Sequence, residues 1–221
     1  MRLFSHAIMP LAGLLLIACN PVYSQVPVRL GLDVGINLAN QSISRDVGPQ
    51  SYRSGLIIGG VAEICISDLL SIQAEPAYIQ EGTVLTGGIR SMNGTFPEEE
   101  TFKLAYFEIP LLLKAKFGTA DFKPVFFVGP NVGFLLSAIY QTKNYDVQGL
   151  GTLDGLDIKD RYKSVNVSLD AGAGAEYRIS NGLSLTGSVR YSFGLKDINS
   201  WSDDTIKTNG IQVIFGTLFD L

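Results

Sequence analysis

Nine ionisable residues stand at alternate positions inside otherwise apolar segments: Arg29, Asp33, Glu63, Glu75, Glu108, Lys114, Asp170, Glu176 and Arg190. Two chemistries suit such a set. A pair of carboxylates such as Glu75 and Glu108 can do general acid–base work. Alternatively, the acids and bases of a packed interior neutralise one another, because a buried charge left alone is costly. The only histidine is His6, inside a segment that reads as a targeting signal. Removal of that segment takes away imidazole triads, imidazole metal ligands and imidazole bases together. Pro97-Glu98-Glu99-Glu100 and the series Asp154, Asp157, Asp160 offer carboxylates to calcium. Neither has EF-hand spacing, and both read as solvated loop. Gly172-x-Gly174 falls within a strand pattern rather than between a strand and a helix, so it is no nucleotide-binding turn. The sequence therefore assigns no catalytic, cofactor-binding or metal-ligating residue, and the nine charges are read as a structural network.

The chain of 221 residues is 46% hydrophobic and 17% charged, with a net charge of −4. That composition suits one folded domain and excludes a disordered protein. It carries no basic footprint for nucleic acid. Arg2 followed by the apolar run Phe4 to Ala18 reads as a secretory signal peptide. Val22-Tyr23-Ser24 suits cleavage after Ser24, whereas Leu16-Ile17-Ala18-Cys19 resembles a lipobox that would leave Cys19 lipidated. The first reading is preferred and divides the chain into a signal peptide, 1–24, and one domain, 25–221. Cys65 is then the only cysteine left, so no internal disulfide forms in the oxidising compartment. It reads as a small side chain within a strand.

The elements that must hold the charges have a period of two. In Val28 to Leu38, Val28, Leu30, Leu32, Val34, Ile36 and Leu38 alternate with Arg29, Gly31, Asp33, Gly35 and Asn37. This is a strand with one face in an apolar medium. Val165 to Arg178 repeats the pattern, as do Leu183 to Leu195 and Ile211 to Leu221, with noisier segments near 54–66, 69–81, 102–117 and 122–137. The eight strands are joined by gaps that alternate long (39–53, 82–101, 138–163, 196–208) and short (67–69, 118–121, 180–182). An up-and-down barrel with both termini at its short-turn end produces that rhythm. A turn at Ser180-Asn181-Gly182 sets Ile179 opposite Leu183 and Tyr177 opposite Leu185. A turn over 118–121 sets Phe117 opposite Phe122, Ile109 opposite Pro130 and Pro110 opposite Gly129. Pro76, Pro110, Pro124 and Pro130 each delete a ladder donor, which predicts a bulge or an unzipped seam between the fourth and fifth strands. Residues 124–142 carry no charge, but Gly129-Pro130-Asn131 breaks any helix there, and the run reads as strand.

The two faces decide the medium. A small barrel cannot offer water a whole wall of Val, Leu, Ile and Phe. With the apolar face toward lipid and the polar face packed inside, both make sense. Phe117, Phe122, Tyr177 and Phe219 gather at one rim, and Phe134, Tyr191 and Phe193 toward the other, as interfacial girdles do. An eight-stranded barrel is filled by its own side chains, so no open pore is expected. In this register Arg190 faces Gly172 and lies diagonal to Asp170, within ion-pair reach. The expectation is an all-β, eight-stranded antiparallel up-and-down transmembrane β-barrel preceded by a signal peptide.

Gly31-x3-Gly35-x-Asn37, Tyr106 to Lys114 (YFEIPLLLK), Gly129-Pro130-Asn131-Val132-Gly133, Gly172-x-Gly174-x-Glu176 and Arg190-Tyr191-x2-Gly194-Leu195 occur in this order. With them the chain resembles the PorT-like outer-membrane β-barrel family of the Bacteroidota over nearly the whole mature length. The resemblance implies an eight-stranded barrel in the outer membrane of a Gram-negative cell, with outer-membrane lipid and the barrel-assembly machinery as partners. The name-giving member of that family serves secretion and gliding. The function expected is non-enzymatic: a structural or interaction role through long extracellular loops, accessory to secretion or surface machinery, with an unidentified extracellular or periplasmic protein partner and no cofactor. The alternative is a soluble periplasmic, lipocalin-like barrel binding a small apolar ligand, which needs apolar residues lining its cavity. A barrel-embedded hydrolase is a third reading, left with carboxylate or lysine chemistry only. Trp201, the single tryptophan, lies in the fourth long loop, where it either anchors a partner or packs the loop on the rim.

Overall fold

A computed structural model describes residues 27–45, 48–91, 94–118, 121–144 and 155–221. The signal peptide, His6, Cys19, both cleavage points and Asp154 lie outside the described residues. Alternation becomes ten strands: β1 (Val28–Ile43), β2 (Gln50–Cys65), β3 (Leu70–Ala74), β4 (Ala77–Ser91), β5 (Gly94–Lys116), β6 (Phe122–Asn144), β7 (Leu156–Asp157), β8 (Val165–Ser180), β9 (Leu183–Gly194) and β10 (Ile206–Asp220). β3 and β4 form one stave in two pieces, both lying between β2 and β5. Glu75 and Pro76 separate them. Pro76 has no N–H to give, although its carbonyl still accepts from Gly60 N at 3.0 Å. β7 adds only a two-residue pairing to β6. The ring thus has eight staves, and it closes because β10 pairs with β1 from Arg29↔Asp220 to Ile43↔Ile206.

Three details differ from the sequence reading. Residues 39–53 and 82–101 are mostly strand: β1 and β2 extend to leave 44–49 between them, and β4 and β5 are separated by residues 92 and 93 alone. Strands β5 and β6 have 23 residues each, roughly 75 Å along the chain at about 3.3 Å per residue. A membrane needs about 9–11 residues per strand, so these staves run well beyond a lipid-spanning band. Second, the β5–β6 register is shifted by two. Phe117 N donates to Pro124 O at 2.9 Å, Ile109 faces Val132 and Pro110 faces Asn131. Gly118, at φ +103, makes the wider turn possible. Third, Ser180 rather than Ile179 faces Leu183, across a bulge between Arg178 and Ser180, while Tyr177 faces Leu185 as expected.

The proline seam is real and narrow. The β5–β6 ladder holds through Pro110↔Asn131 and resumes at Leu113↔Val128, omitting two positions beside Pro130. The gap falls where a Cβ on Gly129 would sit 1.9 Å from Leu111 O. Residues 124–142 all lie in β6, and among the described residues no helix is long and apolar enough to cross a membrane.

The outer wall is apolar all round. Leu32 (68% exposed), Phe126 (57%) and Phe215 (62%) face outward, and all seven girdle aromatics are exposed. Most inward positions are buried, and glycine makes room among them. Opposite Gly172 the Phe127 ring turns inward, so that a Cβ on Gly172 would come within 2.6 Å of it. The Arg190 guanidinium then lies 5.2 Å from the centroid of the same ring. Gly172→Val must displace this stack, and it is expected to cost about 1–3 kcal/mol. Urea unfolding of the detergent-folded barrel, followed by gel mobility, measures the loss.

Candidate functional site

The inward charges form two layers. The first lies at the short-turn end, where β1, β2, β5, β8 and β10 converge. Glu63, fully buried, is its centre. Its carboxylate accepts from Arg29 Nη1 at 3.2 Å and from Lys114 Nζ at 3.0 Å, and it also pairs with Lys116. Arg29 reaches Glu176 Oε2 at 2.8 Å, and its Nε donates to Asp220 Oδ1 at 3.0 Å. Lys114 pairs with Glu176 as well and donates to Gln73 Oε1 at 2.8 Å. Each ion has at least one opposite charge in contact, which offsets the desolvation of placing it inside a barrel. Cys65 closes this layer at the end of β2; its Sγ is 3.3 Å from Glu63 Oε1 and 3.4 Å from Lys116 Nζ.

The second layer lies at mid-height and is richer in acid. Arg190 pairs with Glu75, and its Nη1 stands 3.6 Å from Asp170 Oδ2. Arg190 faces Gly172 in the β8–β9 ladder, as the sequence register has it. Asn131 Nδ2 donates to Glu108 Oε2 at 2.7 Å and to Asp170 Oδ2 at 3.2 Å. Glu75 and Glu108, the candidate acid–base pair, are therefore held by different groups, a guanidinium and an amide. Asp33 makes no ion pair among the described residues and borders two voids of about 20 Å³ each, each with room for one water. A third void, of about 240 Å³, opens at the short-turn end beside Arg29, Lys116, Glu176 and Asp220.

Sequence reasoning missed part of this assembly. Lys116 shares the inward parity of Lys114, and Asp220 becomes a partner of Arg29 only because the ring closes. Glu81, 2% exposed, lies above the second layer, on the far side of the Pro76 break that interrupts the pattern. Nor is the interior polar throughout. Toward the long-loop end Ile57, Ile79, Leu104, Tyr106, Leu135 and Ile214 form an apolar cluster.

That cluster is covered by a lid made from two loops. Ile158, Tyr162 and Ile198 pack down onto it. A single 3-10 turn, Lys159–Arg161, follows Ile158, whose N–H donates to Ala138 O at 2.9 Å. The two loops are stitched by Lys163 N to Ile198 O at 2.8 Å and by a bridge between Tyr162 and Asn199. Asp197 holds the second loop: its Oδ1 accepts from Asn199 N at 3.0 Å and Ile206 N at 2.9 Å, and its Oδ2 pairs with Lys163. Asp157 Oδ1 accepts from Lys159 N at 2.9 Å as the 3-10 turn begins, and Glu100 accepts from Tyr140 Oη at 2.9 Å. Among the described residues no three His, Cys, Asp or Glu side chains group as metal ligands. Trp201 is 71% exposed at the rim, with the Arg161 guanidinium 4.6 Å from its ring centroid.

A family model described as outer membrane protein beta-barrel domain matches residues 23–200. Among solved structures, the chain is similar to a major outer membrane protein from Thermus thermophilus, at 12% identity over 88% of this chain and 99% of that chain, with a TM-score of 0.50. It is also similar to Neisserial surface protein A, at 15% identity over 88% and 97% of the two chains, with a TM-score of 0.48. For the N-terminal barrel of Pseudomonas aeruginosa OprF the values are 12%, 86%, 97% and 0.43. No curated protein matches. At these identities the likeness is one of fold.

Two outcomes test the site. Glu63→Gln leaves Arg29, Lys114 and Lys116 around an uncharged amide, and about 3–5 kcal/mol of stability is expected to go, read by urea unfolding. Burial works to raise Asp197, but the Lys163 ammonium and the amides of Ile206 and Asn199 outweigh it and hold the carboxyl below its ordinary value. A lowered folded-state pKa gives stability that is complete above the unfolded value and is lost as pH falls through the folded one. Acid should therefore loosen the lid, shifting Trp201 emission below the ordinary carboxylate range, and Asp197→Asn should abolish that transition.

Proposed function

The chain belongs to the outer membrane protein beta-barrel domain family, and from that premise we propose that it is an exported, non-enzymatic barrel of the outer membrane, working by contact at its long-loop end. The observation that carries this reading is the pairing of an exposed apolar wall with a charged interior. Lipid solvates such a wall and water does not. The first 24 residues act as the export signal and leave with cleavage after Ser24. The strands then stand in outer-membrane lipid, inserted by the barrel-assembly machinery, with the 44–49, 92–93, 145–164 and 195–205 connections outside the cell. The motif series by which the chain resembles PorT-like barrels of the Bacteroidota supports an accessory role beside secretion or surface machinery, with a protein partner at that end.

The absence of catalysis in this reading rests on chemistry. The lumenal carboxylates of the first layer are tied to cations, and Glu108 is bonded to an amide rather than poised beside a nucleophile. The soluble, lipocalin-like alternative loses support, since it requires charges outside and apolar residues lining the centre. Here Arg29, Glu63, Asp170 and Arg190 are inside while Leu32, Phe126 and Phe215 are outside.

Fractionation of the native host tests the proposal. The protein should pellet with the outer membrane and migrate differently on a denaturing gel before and after boiling. Protease added to intact cells should cut at 145–164 before any short turn. Recovery from the periplasm in soluble form, without detergent, would overturn the reading.

A further inference from the structure

We propose that a cavity at the long-loop end binds an anionic amphiphile: a molecule with one carboxylate- or phosphate-type head and an apolar body. The cavity has a volume of about 570 Å³, within the roughly 300–1,000 Å³ of small-molecule sites. It is bordered by the lid residues Ile158, Tyr162 and Asn199 and by strand residues beside them, and none of the nine inward charges lines it.

Its walls divide by chemistry. Ile43, Leu85, Phe102 and Ile206 give an apolar floor, with Leu85 only 9% exposed. Two guanidinium groups, Arg45 and Arg161, stand around it. Arg161 lies over Trp201 and forms no ion pair among the described residues. Arg45 Nη1 is 3.8 Å from Asp204 Oδ2, too far for a hydrogen bond, and its side chain is 70% exposed. The carboxylates of the same cavity are better engaged. Glu100 accepts from Tyr140 Oη at 2.9 Å, and Asp204 Oδ2 accepts from the Ser202 hydroxyl at 3.4 Å. Among the described residues each carboxylate thus accepts a hydrogen bond and neither guanidinium donates one, so the unused hydrogen-bonding capacity of the cavity is that of its cations.

An anionic head supplies acceptors to the guanidinium forks, which favour carboxylate and phosphate oxygens. The apolar body covers the floor and gains the hydrophobic term for doing so. A sugar satisfies the rim and leaves the floor bare. A cationic amphiphile meets two guanidinium groups. Trp201 stacks under Arg161, so the head lies beside the indole.

That placement provides the test, because Trp201 is the only tryptophan. The full mature protein, folded in a neutral detergent, is titrated with 2-bromododecanoate, whose bromine quenches indole on contact from a position next to the head. Quenching should saturate, and dodecanoate and dodecyl phosphate should reverse it, whereas dodecyltrimethylammonium should not. Reversal by only one of the two anions assigns the head to carboxylate or to phosphate. Arg45→Gln, at an exposed position that leaves Trp201 in place, should weaken apparent affinity about tenfold, the order expected for one charge-assisted contact. Leu85→Glu, checked for unboiled gel mobility, should abolish saturation. Quenching that rises linearly with probe per detergent is partition into the micelle. That result would overturn the proposal, as would equal quenching by the methyl ester or unchanged affinity in Arg45→Gln.

Discussion

A backbone in hydrocarbon has no water to bond, so each amide and carbonyl must find its partner within the protein. Ring closure between β1 and β10 meets that demand, and the remaining features of the fold are adjustments to it. The bulges at Arg178/Ser180 and Ala105/Tyr106 let strands change pitch without opening an edge. Proline is the residue least suited to such a sheet. Yet Pro76, Pro110 and Pro124 all keep their carbonyls in use, accepting from Gly60, Glu75 and Phe117. The cost is confined to the donor side, and it appears as the break between β3 and β4 and the gap in the β5–β6 ladder.

Closure also determines what can fill the centre. With apolar side chains committed to the outside, the inward half of each strand carries what is left: glycines, amides and ions. Ions inside a ring this narrow must neutralise one another across it rather than along a strand. Glu63 does so by contacting β1 and β5 at once. Toward the long-loop end the staves run beyond a lipid-spanning band, and the interior changes character to Ile57, Ile79 and Leu104. There the two loops supply the cover that a soluble protein would use for any apolar core.

Much of this was legible because a period of two assigns every residue to a face. The inward Arg29, Glu63, Asp170 and Arg190 and the outward Leu32 and Phe126 follow from parity, and the Arg190–Gly172 pairing follows from the turn at 180–182. What parity cannot see is a shift of two, which moves a strand along its neighbour and preserves both faces. That is the error at Phe117, whose partner is Pro124 and not Phe122. The extent of strands beyond the band was illegible for a different reason. In residues 82–101 Thr, Gly and Glu stand where apolar residues would alternate, so the pattern that marks a strand disappears. Glu81 was lost behind the Pro76 break, which interrupts the pattern before it. Contacts that depend on closure, such as Arg29 with Asp220, need the ring before they can be named.

At the short-turn rim Leu221 N donates to Val28 O at 3.0 Å. The two ends of the barrel sequence are neighbours in a continuous ladder that runs from Arg29↔Asp220 to Ile43↔Ile206, so the sheet itself has no first or last stave. Where the polypeptide is opened is a property of its synthesis and export, and the hydrogen-bonded ring is indifferent to it. A circular permutant joined across Leu221 and Val28 and cut at residues 92–93 would present the same cylinder of bonds, with its termini moved to the opposite rim.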